Sequence, residues 1–116
     1  MNAVRSGLLA DTVSIDPLSG ECKLTIFEYM PWNDSLLSEL QNRINACLKF
    51  VESGEIYLAY PQTQNRDFVI EIRCIYAPDR QAQDFLVAAQ QALDEVGYLL
   101  RYAPLGSSYA DDTKAP

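Results

Sequence analysis

The sequence predicts an α+β domain, a two-layer sandwich in which two helices cover one face of a mostly antiparallel four-stranded sheet. Two observations predict it. Short segments that alternate polar and apolar residues, as half-buried strands do, lie before, between and after two longer segments with apolar residues at helical spacing. Each helical segment has one apolar stripe, so both helices should pack on the same face. The predicted order is β-β-α-β-α-β, with the order of strands in the sheet left open.

A β-hairpin is expected first. Residues 12–16 alternate polar and apolar side chains, residues 17–20 (PLSG) supply a turn, and residues 22–29 return as a second strand. Residues 1–10 are expected to form a loose arm that precedes a single domain at 11–103.

The first helix follows Pro31. Asn33, Asp34 or Ser35 can cap it by accepting hydrogen bonds from its free N–H groups. Gly54 is a natural end, because glycine adopts the left-handed conformation that terminates many helices. The predicted buried stripe consists of Leu37, Leu40, Ile44, Cys47, Leu48 and Val51.

The rest of the chain alternates again. Residues 57–61 (YLAYP) are apolar and aromatic but too short and irregular for a strand. Residues 68–76 form the clearest strand, residues 79–96 a second helix ended by Gly97, and residues 98–102 a last strand. Residues 104–116 are rich in Pro, Gly, Ser and Asp, which predicts a flexible tail.

The charge balance limits the partners. Sixteen Asp and Glu against nine Lys and Arg give a net charge of −7, and the basic residues do not cluster. A nucleic-acid surface needs clustered Lys and Arg, so no nucleic-acid partner is expected. An acidic surface suits a basic protein partner, and it suits solubility equally well.

The cysteines and the lengths of the apolar segments indicate where in the cell the protein is located. The chain has three cysteines, Cys22, Cys47 and Cys74. Their odd number, the absence of metal-site spacing and their core-like positions predict reduced thiols in a cytoplasmic protein. No apolar run approaches the length of a membrane span, so no membrane association is expected.

Most catalytic chemistry is missing from the sequence. There is no histidine, which removes the commonest general base and metal ligand. The glycines are too far apart for a phosphate-binding loop, and neither a cofactor nor a metal is expected. Carboxylate pairs remain as candidates for acid–base chemistry: Asp11 with Asp16, Glu52 with Glu55, and Asp111 with Asp112. These absences favour a non-enzymatic role.

Two groups of residues are candidate sites. Tyr29 and Trp32 end the second strand, and Tyr57 and Tyr60 follow the first helix, so these aromatics, with Asn45 and Glu52, either line a shallow pocket or close the core under a loop. The uncovered sheet face, which includes Phe27, Tyr29 and Arg73, is either solvated or a contact surface for a protein partner or a second copy.

The segments MPWND, LQNRINACLKFVESGEI and YP resemble a bacterial family of small proteins of unknown function, domain of unknown function family 6572. The resemblance covers residues 11 to 102, and its most specific block runs from Ile44 and Asn45 to Glu52, Ser53 and Gly54. This chain has Arg43 where the family tends to have lysine, and it lacks a histidine often found before the helix. The resemblance implies no established activity.

Two functions remain as hypotheses. The first is a non-enzymatic protein-binding module, of the kind that neutralises a toxin as an immunity protein. The alternative is a small-ligand binder or enzyme that uses the aromatic residues, with Glu52 as acid or base and Asn45 orienting the substrate. A homodimer joined through the open sheet face is compatible with both.

Overall fold

The structure, a computed structural model, describes residues 10–110. The first nine residues of the expected arm and residues 111–116 of the expected tail, including the pair Asp111 and Asp112, lie outside them. The elements are β1 (Thr12–Ile15), β2 (Cys22–Glu28), α1 (Asp34–Glu52), α2 (Glu55–Ala59), β3 (Phe68–Cys74), α3 (Arg80–Glu95) and β4 (Leu99–Pro104), with a 3-10 turn at Pro61–Thr63. The α+β class and the predicted order are confirmed, with α2 as an added short helix.

The sheet is mixed, and the prediction that it is mostly antiparallel was wrong. Its order is β1-β2-β3-β4. The hairpin pair β1–β2 is antiparallel, whereas β2–β3 and β3–β4 are parallel. The reason is that α1 and α3 each carry the chain back along the sheet, so the strand that follows each helix runs in the same direction as the strand before it.

The hydrophobic core lies between the sheet and the two long helices. Both crossovers move in the same direction across the sheet, and right-handed connections then place both helices on one face. Alternate residues of the strands point into this layer and pack with residues of α1 and α3. The buried set includes Cys22, Leu24 and Ile26 of β2, Ile70 and Ile72 of β3, Leu40, Ile44 and Cys47 of α1, and Leu86 and Leu93 of α3.

The ends of α1 are set by local sequence. Of the three cap candidates, Asn33 caps the helix, since its side chain accepts a hydrogen bond from the Leu36 N–H at 2.8 Å. Gly54 has a φ of 85°, a left-handed conformation that costs other residues steric strain. The chain therefore turns sharply after α1 and enters α2.

The segment after α1 is helical and closes the core. Ile56 of α2 is fully buried, and the Tyr57 ring packs against Phe68 at a centroid distance of 6.3 Å. Leu58, in contrast, is 85% exposed. The segment therefore contributes one face to the core and leaves Tyr57 half-buried at its margin.

Replacing Asp79 with alanine is expected to destabilise the domain by about 1 kcal/mol. Asp79 precedes α3, and its Oδ1 accepts a hydrogen bond from the Ala82 N–H at 2.8 Å, which is lost with the carboxylate. Urea unfolding followed by circular dichroism measures the change. Asp84→Ala is the matched control, because Asp84 is exposed and pairs with the exposed Arg80 at 3.5 Å. Equal losses in both variants would contradict the assignment of the cap.

None of the helices formed by the described residues is long and apolar enough to cross a membrane.

Candidate functional site

The structure does not bring the four candidate aromatics together. Trp32 precedes α1, whereas Tyr57 and Tyr60 follow its end, and a helix of 19 residues is about 28 Å long. The Trp32 Nε1 donates to the Tyr76 carbonyl at 2.9 Å, beyond the carboxyl end of β3. Tyr60 ends α2 and packs against the core. Its backbone carbonyl accepts a hydrogen bond from the Thr63 hydroxyl at 2.8 Å. A single pocket built from these aromatics is therefore ruled out by their positions.

Phe27, Tyr29 and Arg73 do lie together. Phe27 is opposite Arg73 in the β2–β3 register, and the Phe27 and Tyr29 rings are 6.5 Å apart. Tyr29 is 58% exposed, and Arg73 Nη1 lies 3.8 Å from Glu71 Oε2. The trio forms a small aromatic and basic patch at one end of the sheet face that the helices leave uncovered.

The rest of this uncovered face is a network of paired charges. Lys23 Nζ lies 3.7 Å from Glu71 Oε1, and Arg101 Nη1 lies 3.2 Å from Glu21 Oε1. Between them, Val69 is fully buried in the middle of the face. Because its basic and acidic groups pair with one another, this face contributes little to the net negative charge of the protein.

Asn45 and Glu52 lie on the helix layer, where they line a groove between α1 and α3. The groove has a volume of about 410 Å³. Its walls are mainly apolar, with Leu48 from α1 and Phe85 from α3, and Asn45 and Glu52 are exposed at its margin. It is open along the helices, so it lacks the enclosure typical of a catalytic pocket.

Glu52 also lines a second cavity, a cleft of about 550 Å³ at the amino ends of β3 and β4, together with Tyr57. Sequence reasoning missed its other central residues, which are Asp67, Phe68 and Tyr98. The Phe68 ring is 6.3 Å from Tyr57 on one side and 6.3 Å from Tyr98 on the other. Phe68 is buried, and both tyrosines are half-buried. The three rings form a continuous aromatic wall.

Burial and a neighbouring carboxylate both act on the hydroxyl group of Tyr98 at this wall. The pKa of the Tyr98 hydroxyl is raised, first by burial, then by the nearby Glu52 carboxylate and by Tyr57. All three groups thus lie close enough to interact. The sequence did contain the information that Asp67 and Tyr98 lie near each other. Each directly precedes a strand, and parallel pairing brings the beginnings of those strands to one edge of the sheet.

The structure also reveals a buried charged cluster that sequence reasoning missed. Arg43 is 6% exposed, with Nη2 at 3.1 Å from Asp11 Oδ2 and Nη1 at 3.7 Å from Glu28 Oε2. The Asp11 carboxylate also accepts a hydrogen bond from the Phe27 N–H at 2.8 Å. The burial of Arg43 could have been predicted from its position in the sequence. It follows Leu40 by three residues and precedes Cys47 by four, so it lies on the apolar stripe of α1.

Glu28 is the unusual member of this cluster. It is 5% exposed, and its Oε2 accepts no hydrogen bond from any residue in the described part of the chain. Burial raises its pKa to about 7, and the carboxylates of Glu39 and Asp11 add to this, whereas Arg43 opposes it. Since the side chains of Glu28 and Arg43 are both enclosed, this pair acts on the stability of the fold rather than on a substrate.

The three cysteines lie in the core of the protein. Cys22, Cys47 and Cys74 are free and buried, as predicted, and burial raises the thiol pKa of Cys22 to about 11 and of Cys47 to about 12. Such thiols are unreactive at neutral pH. Within residues 10–110, no group of three or more cysteines and carboxylates is arranged to hold a metal ion.

Comparison with known proteins identifies a family. The model of a family of unknown function, DUF6572, matches residues 3–106. No curated protein and no solved structure matches the chain.

Proposed function

Because the chain belongs to DUF6572, a family of unknown function, we propose its role from its own geometry: it is a non-enzymatic module that binds a protein with a basic surface. The observation that carries this proposal is the uneven distribution of unpaired carboxylates. They are concentrated where α1 and α3 end, a region that we call the acidic end. It is defined by Glu52, Glu55, Asp67, Asp94 and Glu95.

Carboxylates at the acidic end lack cationic partners. None of the five forms an ion pair with another residue among those described, 10–110. The basic residues Lys23, Arg73 and Arg101 are instead paired on the open sheet face. Because no ion pair within the described part of the chain compensates these five carboxylates, they give the acidic end a negative charge that attracts a cationic surface.

The position of these acids has an intrinsic cost. The carbonyl end of a helix carries a partial negative charge, so carboxylates in the last turn of a helix are unfavourable. The last turn of α3 carries Asp94 and Glu95 and no basic residue. A basic partner would neutralise this accumulated charge, which gives the arrangement a function in binding.

An immunity-type role, in which the partner is a basic toxin domain, and a cytoplasmic location belong to the same proposal. The location is supported by three free thiols in the core. The small-ligand alternative is supported by the apolar groove between α1 and α3, which Asn45 and Glu52 border. An enzymatic version is less well supported, because Glu52 is exposed rather than enclosed as tuned catalytic carboxyls are.

The test is affinity capture from source-cell lysate and culture medium at about 0.05 M and about 0.5 M salt, conditions in which the screening length differs several-fold. We expect a stoichiometric basic protein that is retained at low salt and lost at high salt. The double variant D94N/E95Q should retain less of it, whereas D34N/D84N, which makes the same charge change elsewhere, should retain as much as the unmodified chain.

Equal loss in both variants would show that net charge alone matters and would overturn the assignment to the acidic end. A partner whose retention is independent of salt would overturn the electrostatic basis of the proposal. Light scattering of the purified chain separately tests the predicted homodimer.

A further inference from the structure

The cleft at the acidic end combines an aromatic wall with unpaired carboxylates. Phe68 forms the buried floor, and Tyr57 and Tyr98 flank it with ring centroids 6.3 Å from its own. The face of an aromatic ring attracts a cation within about 6 Å, and the attraction strengthens as water is excluded. A half-buried wall of three rings therefore suits a ligand with an aliphatic stem and a positive head.

Two carboxylates complete the cleft. Glu52 and Asp67 are exposed at its margin, on the segments that flank the aromatic wall. Arg66 also lines the cleft, but its Nε donates to the Gln62 carbonyl at 2.8 Å and its Nη1 to the Gly20 carbonyl at 2.9 Å. These bonds hold the guanidinium toward the turn between β1 and β2, so the lining retains a net negative charge.

The helix ends reinforce this charge. The cleft is lined by Ser53 and Gly54, which follow α1, and by Gly97, which follows α3. The carbonyl end of a helix acts as roughly half a negative charge. Cations are favoured at such ends, and two of them meet at this cleft.

The chemistry favours an organic cation over a metal ion. Within residues 10–110, no three cysteines or carboxylates are grouped to coordinate a metal. The cleft, with a volume of about 550 Å³, instead has room for a long side chain, and its three aromatic rings offer apolar surface to the stem of such a side chain. We infer that the cleft accepts a lysine or arginine side chain of the partner, with its stem against the Tyr57, Phe68 and Tyr98 rings and its cation at Glu52 and Asp67. This inference rests on the proposed function, since the side chain belongs to the basic partner.

Peptide titration followed by two-dimensional NMR tests the inference on the full chain. The probes are acetyl-Gly-Lys-Gly-amide and acetyl-Gly-Arg-Gly-amide, with the norleucine peptide as an uncharged control of similar length. We expect the cationic peptides to shift the amide signals of Gly54, Asp67, Phe68, Gly97 and Tyr98, and the norleucine peptide to leave them unchanged.

Variants separate the carboxylates from the rings. E52Q/D67N should weaken binding of the cationic peptides about fivefold to tenfold, whereas D34N/D84N, with the same change in net charge, should not. Y98L should weaken binding about threefold, and Y98F, which keeps the ring, should preserve it. Melting curves of all variants establish that they remain folded, which is expected because the substituted carboxylates are exposed.

Two outcomes overturn the inference. One is a set of amide shifts spread over all acidic surfaces, and the other is equal binding by E52Q/D67N and the unmodified chain.

Failure of this inference is distinguishable from failure of the proposed function. If the basic partner is still captured by E52Q/D67N, the cleft assignment fails and the proposed function stands. If the peptides bind in the cleft but no basic protein is captured, the proposed function fails and the cation site stands.

Discussion

Replacing Arg43 with methionine is expected to destabilise the domain by about 3 to 5 kcal/mol at about pH 8. The guanidinium is buried and lies between the Asp11 and Glu28 carboxylates, at 3.1 Å and 3.7 Å. Methionine retains the apolar stem but leaves Glu28 as an enclosed charge without its cation. Removal of one member of a buried pair is costly for this reason, even where the intact pair adds little net stability.

Urea unfolding followed by Trp32 fluorescence measures this loss, since Trp32 is the single tryptophan and is half-buried. Arg80→Met is the matched control: Arg80 is exposed and pairs with the exposed Asp84, so we expect a change of about 0.5 kcal/mol or less. The double variant R43M/E28Q should recover about half of the loss, because it removes the uncompensated charge. A loss in R43M no greater than in R80M would show that the cluster does not stabilise the fold.

Raising the pH from about 5 to about 8 is expected to lower the free energy of unfolding by about 2 to 3 kcal/mol through Glu28 alone. Its pKa is raised from 4.5 to about 7 in the folded protein, chiefly by burial and further by Glu39 and Asp11. Between these values the folded state holds the proton more tightly than the unfolded state does, so stability falls as the proton is lost. Below the lower value both states are protonated, and above the upper value both are ionised.

Thermal melting at several pH values between about 5 and 8 tests this expectation. The unmodified chain should lose about 10 °C across the range, as expected for a domain of this size. Glu28→Gln should flatten the curve because the amide does not ionise, whereas the exposed control E95Q should keep the slope of the unmodified chain. An unchanged slope in E28Q would mean that another group titrates.

Local sequence patterns predicted the four strands and the two long helices, but not the short helix α2 or the direction in which the strands pair. The ends of the long helices at Gly54 and Gly97, and a cap of the first helix among Asn33, Asp34 and Ser35, could be predicted because each depends on residues within one helical turn. The direction of β3 relative to its neighbours was not predicted correctly. The alternation of polar and apolar residues within a strand carries no information about whether the neighbouring strand is parallel or antiparallel. The parallel pairing comes from the helix between each pair of strands, which returns the chain to the edge of the sheet where the earlier strand began.

The candidate site was predicted in part for the same reason. Glu52 and Tyr57 are near in sequence and share the cleft, whereas Trp32 is separated from them by the length of α1. Asp67 and Tyr98 join the cleft only through the parallel register of β3 and β4. Arg43 was missed because a charged residue on an apolar stripe is recognised only when its buried partners are known.

The strand order β1-β2-β3-β4 follows the order of the chain, which has a consequence for synthesis on the ribosome. The hairpin emerges first, and each later β-α unit adds to the edge that is already formed, so no strand has to insert between two others. Assembly can therefore advance from the N-terminus as the chain lengthens. The cleft is completed only when Tyr98 and the strand that follows it, β4, have been synthesised, so any activity of this end requires all four strands of the sheet.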